Sequence, residues 1–306
     1  MTLVVAETGP ESIWLLADRR VTYEDRPPRD DSCKIMLLDT SDGLAILGYC
    51  GLGDTAKGTE PSAWMSNVLR GRPLLLERSL EVLGEAIKKH LPPHLVRMPG
   101  EGVPAHNVVV PAFIGDEPRF YSIDLQFAPD RKTYAFRCTR HVFQRSLPAK
   151  PRPPRLGVGG SGARYLLNRK KWKRELLKVV GAYDHGRISA QTVAGYLAEL
   201  NYEVSRNVAS VGQRCIVAWR NRKNGAHGSC GGSHQFYTKT TPDAASLALP
   251  AIANGMDMRA FLDVVTPYFI EMFDASRRGD SPKGLNEDRM NIDLARLPEK
   301  PDETLL

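Results

Sequence analysis

Apolar and polar positions at the start of the chain follow the short-strand pattern. Thr2 to Glu7 is rich in β-formers, Thr8-Gly9-Pro10-Glu11 is turn chemistry, and Ser12 to Asp18 runs apolar again, which predicts a hairpin. Cys33 to Leu38 and Leu44 to Gly48 form a second pair, divided by Asp39-Thr40-Ser41-Asp42-Gly43. From Pro61 to His90 the period changes. Trp64 and Val68, then Leu76, Leu80, Leu83 and Ile87, recur at three and four, predicting two helices joined near Gly71 to Pro73.

A Pro- and Gly-rich loop spans Leu91 to Pro104, and strands are predicted over Asn107 to Ile114, Arg119 to Leu125 and Lys132 to Arg137. Pro148 to Arg155 holds four prolines in eight residues and reads as extended linker or loop. After the glycine-rich Gly157 to Gly162, helices are expected over Ala163 to Gly181 and Ser189 to Asn207, then strands over Arg214 to Arg220 and Ser233 to Lys239. Further helices are predicted from Asp243 to Ala253 and from Asp257 to Ala275, before a polar, Pro-containing tail that reads as poorly ordered. Hairpins on both sides of helix pairs fit an α+β architecture with two sheets stacked between helices, and not alternating βαβ units. The division this predicts is a main unit over 1–240 and a helical C-terminal extension with a flexible tail over 241–306.

Composition narrows the class. Of 306 residues, 42% are hydrophobic and 25% charged, which excludes a disordered or fibrous chain. No apolar run approaches the roughly 18 residues of a membrane-spanning helix, and the N-terminus lacks the pattern of a signal peptide. The five cysteines are an odd number without C-x-x-C spacing, so neither a disulfide framework nor a zinc ribbon is indicated. A cytoplasmic protein that does not engage membranes is the expectation. The net charge of +7 is mild for this length and assigns no partner.

Position 2 carries the chemistry. Initiator Met is normally trimmed when a residue as small as Thr follows, so the mature chain is expected to begin at Thr2. A free α-amine has an ordinary pKa of about 7.7–8.0 and acts as a base near neutrality, on the same residue as a nucleophilic hydroxyl. Downstream, Asp18 closes the second strand, Arg20 follows it, Lys34 opens the third strand and Gly48 ends the fourth. They lie 16, 18, 32 and 46 positions after Thr2. Singly, each has an ordinary reading: Asp18 as a solvated strand-end turn, Lys34 as a surface lysine, Gly48 as turn punctuation. Gly160-Ser161-Gly162 and the stretch from Glu203 to Gly212, with Asn207 and Ser210, add a second set, in which Ser161 could equally be a helix N-cap.

Taken in register from Thr2, these residues resemble the proteasome β-subunit family of N-terminal nucleophile hydrolases. The resemblance covers about residues 2 to 223 in short motifs, and leaves Ser62 to Leu156 and the C-terminal tail unmatched. It implies a four-layer αββα sandwich and amide-bond hydrolysis through an acyl-enzyme on Thr2. Lys34 would favour ionisation of the Thr2 hydroxyl, Asp18 would hold Lys34, and the Gly48 N–H would face the oxyanion, a donor worth about 3–4 kcal/mol in comparable enzymes. Ser161 and Ser210 would orient the α-amine, and Arg20 would brace the site. The loop departs from the family pattern at Asn207, where an Asp is usual, which removes a negative charge. The resemblance further implies a peptide or protein substrate, a homo-oligomeric ring and no cofactor, and leaves open whether an ATP-dependent unfoldase is a partner. Two alternatives stay open: a catalytically inactive structural or binding subunit, and an amidase acting on small amides.

Three rival motifs are weaker. Gly157 to Gly162 satisfies G-x-G-x-x-G with Asp184 downstream, but Asp184 falls in a turn between helices instead of at a strand end. The Arg169 to Arg174 run with Trp172 reads as a solvated or oligomer-facing helix surface, so no nucleic-acid partner is predicted. His227, Cys230 and His234 read as a hairpin turn and its flank, not as a metal site.

Overall fold

The computed structural model describes residues 2–23, 27–51, 59–90, 107–127, 134–143, 152–169, 171–222, 232–244, 248–278 and 286–302. It is a mixed α+β fold with two sheets and helices. In chain order the strands are β1 (Leu3–Thr8), β2 (Ser12–Asp18), β3 (Ile35–Asp39), β4 (Gly43–Cys50), β5 (Asn107–Ile114), β6 (Glu117–Phe127), β7 (Tyr134–Arg140), β8 (Leu156–Gly160), β9 (Cys215–Asn221), β10 (Gly232–Thr238), β11 (Thr241–Pro242), β12 (Ala251–Ala253) and β13 (Met256–Asp257). The helices are α1 (Pro61–Leu69), α2 (Leu76–His90), α3 (Ala163–Leu167), α4 (Lys171–Asp184), α5 (Ala190–Ser205), α6 (Met258–Arg277) and α7 (Glu287–Leu294).

One sheet has the order β11-β10-β9-β2-β1-β8, the other β13-β12-β3-β4-β5-β6-β7. Side-chain alternation along each strand sorts the core. Ala45, Leu47 and Tyr49 of β4 pack with Trp64, Met65 and Val68 of α1 and with Leu80 and Leu83 of α2. Leu44, Ile46 and Cys50 of the same strand face the opposite way, onto Val4, Ala6, Ile13 and Leu15 of the first sheet. Leu3, Val5, Trp14 and Leu16 turn outward onto Trp172, Leu176, Val193 and Leu197 of α4 and α5. Each strand of the central hairpins is therefore buried on both faces. No helix among the described residues is long and apolar enough to cross a membrane.

Three elements differ from expectation. The helix expected over 163–181 is two helices: α3 ends at Leu167, and the Trp172 indole donates to the Leu166 carbonyl at 2.7 Å, closing its end. The helix expected over 243–253 is absent from its described residues. Pro250 disfavours the helical region at Leu249, and Ala251–Ala253 pair instead with Leu37–Asp39 as a parallel strand next to the edge. The tail holds α7, and the Asp302 N–H donates to the Asn67 carbonyl at 3.0 Å beside α1.

Candidate active site

Two hairpins, one from each sheet, meet at Thr2. In the first sheet, pairing of Val4 with Ala17 sets Asp18 level with the start of β1, and Asp18 lies opposite Cys215 on its other side. Lys34 immediately precedes β3 in the second sheet. Its Nζ lies 2.8 Å from Thr2 Oγ1, 3.1 Å from Asp18 Oδ1 and 2.6 Å from the Arg20 carbonyl. The Thr2 hydroxyl itself donates to Asp18 Oδ1. The ion pair is sealed from solvent, with side-chain exposures of 3% for Lys34 and 0% for Asp18.

Burying a charged pair is costly unless the remaining lone pairs and protons are taken up. Here they are. Asp18 Oδ1 also accepts the Leu3 N–H at 2.9 Å, and Oδ2 accepts the N–H groups of Arg20 at 3.0 Å and Gly212 at 2.9 Å. The three donors on Lys34 have three acceptors. A buried network in which each member is satisfied is held in one arrangement.

Ser161 donates to the Thr2 carbonyl at 3.3 Å and shares a 2.8 Å hydrogen bond with Ser210. The Gly162 N–H donates to that same Thr2 carbonyl at 3.3 Å. Gly160 has φ +82°, and a Cβ there would lie 2.0 Å from the Thr2 carbonyl oxygen, so no other residue fits where β8 passes β1. Arg20 grips Asp30 with two hydrogen bonds of 2.7 Å and donates to the Ala209 carbonyl at 2.9 Å.

Thr2, Asp18, Lys34, Ser161, Ser210 and Arg20 thus converge, whereas two other sequence-predicted residues do not join them. Asn207 is exposed, and its amide donates to the Glu203 carbonyl at 2.8 Å, closing the end of α5. Gly48 is a packing residue. A Cβ there would lie 2.8 Å from both Leu15 methyls and 3.1 Å from Val4. Its N–H is also committed. The Tyr49 N–H donates to the Lys34 carbonyl at 2.9 Å, so by strand alternation the Gly48 N–H turns to the β5 side, opposite Val109. The oxyanion donor expected at Gly48 is therefore not formed. Tyr49, next to Gly48, is buried against α1.

Sequence reasoning missed Asp30, the partner of Arg20, and the Gly212 N–H. Gly212 stood within the recognised Ser210-containing stretch, but a backbone donor has no residue-type signature. Among the rival motifs, β8 pairs antiparallel with β1, and Asp184 ends α4, accepting from Ser12 at 2.6 Å, so no dinucleotide unit is present there. Arg169 pairs with Glu203, and Trp172 is buried. His227 and Cys230 lie outside the described residues.

No protein-family model and no curated protein matches the chain. Among solved structures it is similar to Anbu, titled an ancestral beta-subunit, from Yersinia bercovieri, with 13% identity and a TM-score of 0.44 over 71% of this chain and 80% of that one. It is also similar to Anbu from Hyphomicrobium sp. strain MC1, with 13% identity and a TM-score of 0.43 over 75% and 86% of the two chains. A Gly-1 mutant of Anbu from the same strain gives 14% identity and 0.41 over 71% and 82%. The assignment to proteasome β-subunits drawn from the motifs is corrected accordingly: the neighbours are Anbu proteins.

Proposed function

We propose that the chain is an amide-bond hydrolase whose nucleophile is Thr2, exposed by removal of Met1, on a four-layer αββα sandwich. The observation that supports this is the 2.8 Å approach of Lys34 Nζ to Thr2 Oγ1, with Asp18 completing a buried triad. The Thr2 α-amine takes the hydroxyl proton, and the Lys34 cation stabilises the oxygen as negative charge develops on it. Thr2 Oγ1 attacks the substrate carbonyl, the C–N bond breaks, and the leaving amine receives the proton. Water then cleaves the Thr2 ester and returns the free hydroxyl. Ser161 and Ser210 fix the Thr2 main chain, which sets where its α-amine points. Peptides are the proposed substrates, with small amides as the narrower possibility within the same chemistry.

The commitment of the Gly48 N–H to its own sheet favours a second reading, a structural or binding subunit without turnover. Intact-mass measurement and a fluorogenic peptide panel separate the two. Loss of Met1, turnover by the wild type and none by Thr2→Ala are expected. Retained Met1, or equal hydrolysis by both proteins, would refute the nucleophile.

A further inference from the structure

Glu7 is a buried acid with one oxygen unused. Its side chain is 1% exposed. Arg155 donates to Oε1 through both Nε and Nη2, whereas Oε2 has no hydrogen-bond partner among the described residues. A buried polar atom left unpaired is rare in a folded protein and calls for a reason. The Thr2 chemistry supplies none, because Glu7 lies five residues along β1 from Thr2, roughly 17 Å at the rise of a strand.

The unpaired oxygen faces others. A Cβ at Gly9 would have three oxygens as its nearest neighbours: the Ser12 carbonyl at 2.7 Å, Asp184 Oδ2 at 3.1 Å and Glu7 Oε2 at 3.4 Å. Asp184 is held in that orientation. The Trp14 indole donates to Ser12 Oγ at 2.9 Å, and Ser12 Oγ donates to Asp184 Oδ1 at 2.6 Å. Asp184 and Arg155 also line a cavity of about 520 Å³, together with Glu11, His185, Pro10 and Leu177. The carboxylates of Glu7, Glu11 and Asp184, when ionised, exceed by one charge the guanidiniums paired with them, Arg155 on Glu7 and Arg222 on Glu11. Helix α4 adds to the excess, because its negative C-terminal end lies at Asp184 and its last turn holds no basic residue.

We infer that this cavity binds a primary alkylammonium group, whose N–H donors take Glu7 Oε2 and Asp184 Oδ2 while its chain lies along Pro10 and Leu177. A bare divalent cation would leave those apolar walls unused, and among the described residues no group of three or more His, Cys, Asp or Glu is placed to hold one. Burial, reinforced by Asp184 and opposed by Arg155, pushes the Glu7 carboxyl up to about 8. Burial raises Asp184 as well, helped by Glu11 and opposed by Ser12, Arg155 and His185. Near neutrality Glu7 therefore holds a proton, which an arriving ammonium displaces. The inference is independent of the Thr2 chemistry.

Titration calorimetry of the full chain with n-butylammonium tests it. Wild type is expected to bind and, near neutral pH, to release about one proton, read from two buffers of different ionisation heat. Its affinity is expected to rise from about pH 6 to about pH 9 as Glu7 ionises. Glu7→Gln, close in shape to the protonated acid, and Asp184→Asn are each expected to weaken binding by about tenfold or more with an unchanged circular dichroism spectrum. Glu7→Gln is also expected to release no proton. Should Asp184→Asn disturb folding, Glu7→Gln alone decides. Two further probes separate the sources of the ammonium. Tighter binding of 1,5-diaminopentane assigns a free diamine or polyamine, and tighter binding of a lysine capped at both ends assigns a lysine side chain of a protein. No binding of butylammonium at millimolar concentration overturns the site, as does equal binding by wild type and Glu7→Gln. Glu7-dependent binding of calcium in place of the amine overturns it too.

Discussion

The Gly212 N–H donates to the Asp18 carboxylate at 2.9 Å, joining segments 194 positions apart. The contact depends on the missing side chain. A Cβ at 212 would lie 2.7 Å from Asp30 Oδ1 and 2.8 Å from Arg20 Cβ. Gly212→Ala therefore pushes on the Arg20–Asp30 pair and on the donor to Asp18 together. The expected cost is about 1–3 kcal/mol of stability, with kcat lowered on the order of tenfold, a change of about 1.4 kcal/mol in barrier, and little change in KM. Urea unfolding and steady-state kinetics measure the two; an unaltered kcat in a destabilised variant would detach Gly212 from the site.

Asp18→Asn leaves the Lys34 ammonium buried without its counter-charge. Breaking a buried pair on one side costs about 3–5 kcal/mol, more than replacing both partners by apolar groups. Asp18→Leu/Lys34→Met is thus expected to be more stable than Asp18→Asn, though inactive. Strict additivity in a denaturant double-mutant cycle would show that the two residues do not act as a pair.

Gly48→Ala is expected to destabilise by about 1–3 kcal/mol through overpacking against Leu15 and Val4. Leu15→Val, which shortens the side chain that the new methyl meets, is expected to recover part of the melting temperature and of any activity lost. Should Gly48→Ala lose activity at unchanged stability, the residue works at the reaction centre after all.

Burial pushes the Glu7 carboxyl up to about 8, against the lowering effect of Arg155, whose Nε donates to it at 2.9 Å. In the unfolded chain the group ionises near its ordinary 4.5. Between these values the folded protein holds a proton that the unfolded chain has released. The contribution to stability is full below the lower value and is lost as pH rises through the upper one, at no more than about 1.4 kcal/mol per pH unit. Melting curves recorded from pH 5 to about pH 9 should decline in the wild type and flatten in Glu7→Gln. Parallel curves would remove Glu7 as the cause.

Much of the fold and part of the candidate site were legible because they depend on local spacing. The hairpins around Thr2 and Lys34, and the helices from Pro61 to His90, announce themselves by period, and the offsets from Thr2 bring Asp18 and Lys34 into view. What was not legible depends on relations between strands. Which way the Gly48 N–H turns is settled by the pairing of Tyr49 with Lys34, and what Gly48 packs on is settled by Leu15 of the other sheet. Residues 251–253 are too few to show a period, and their extended form comes from Pro250 and a free sheet edge. Asn207 looked like a member of the site because its neighbours in sequence are; at the end of α5 its amide finds the nearest unsatisfied carbonyl instead.

The parallel strand β12 has a consequence for how the molecule is made. It lies against β3, which begins one residue after Lys34, and the Leu37 N–H donates to the Pro250 carbonyl at 2.9 Å. Every residue between β3 and β12 must leave the ribosome before that edge of the sheet can close, and Ser210 and Gly212 also follow long after Lys34. Contacts of such long sequence separation form slowly. The Thr2 hydroxyl and its lysine are synthesised before Ser161, Ser210 and Gly212, which orient them, so a nascent chain carries the proposed nucleophile before the setting in which it would react.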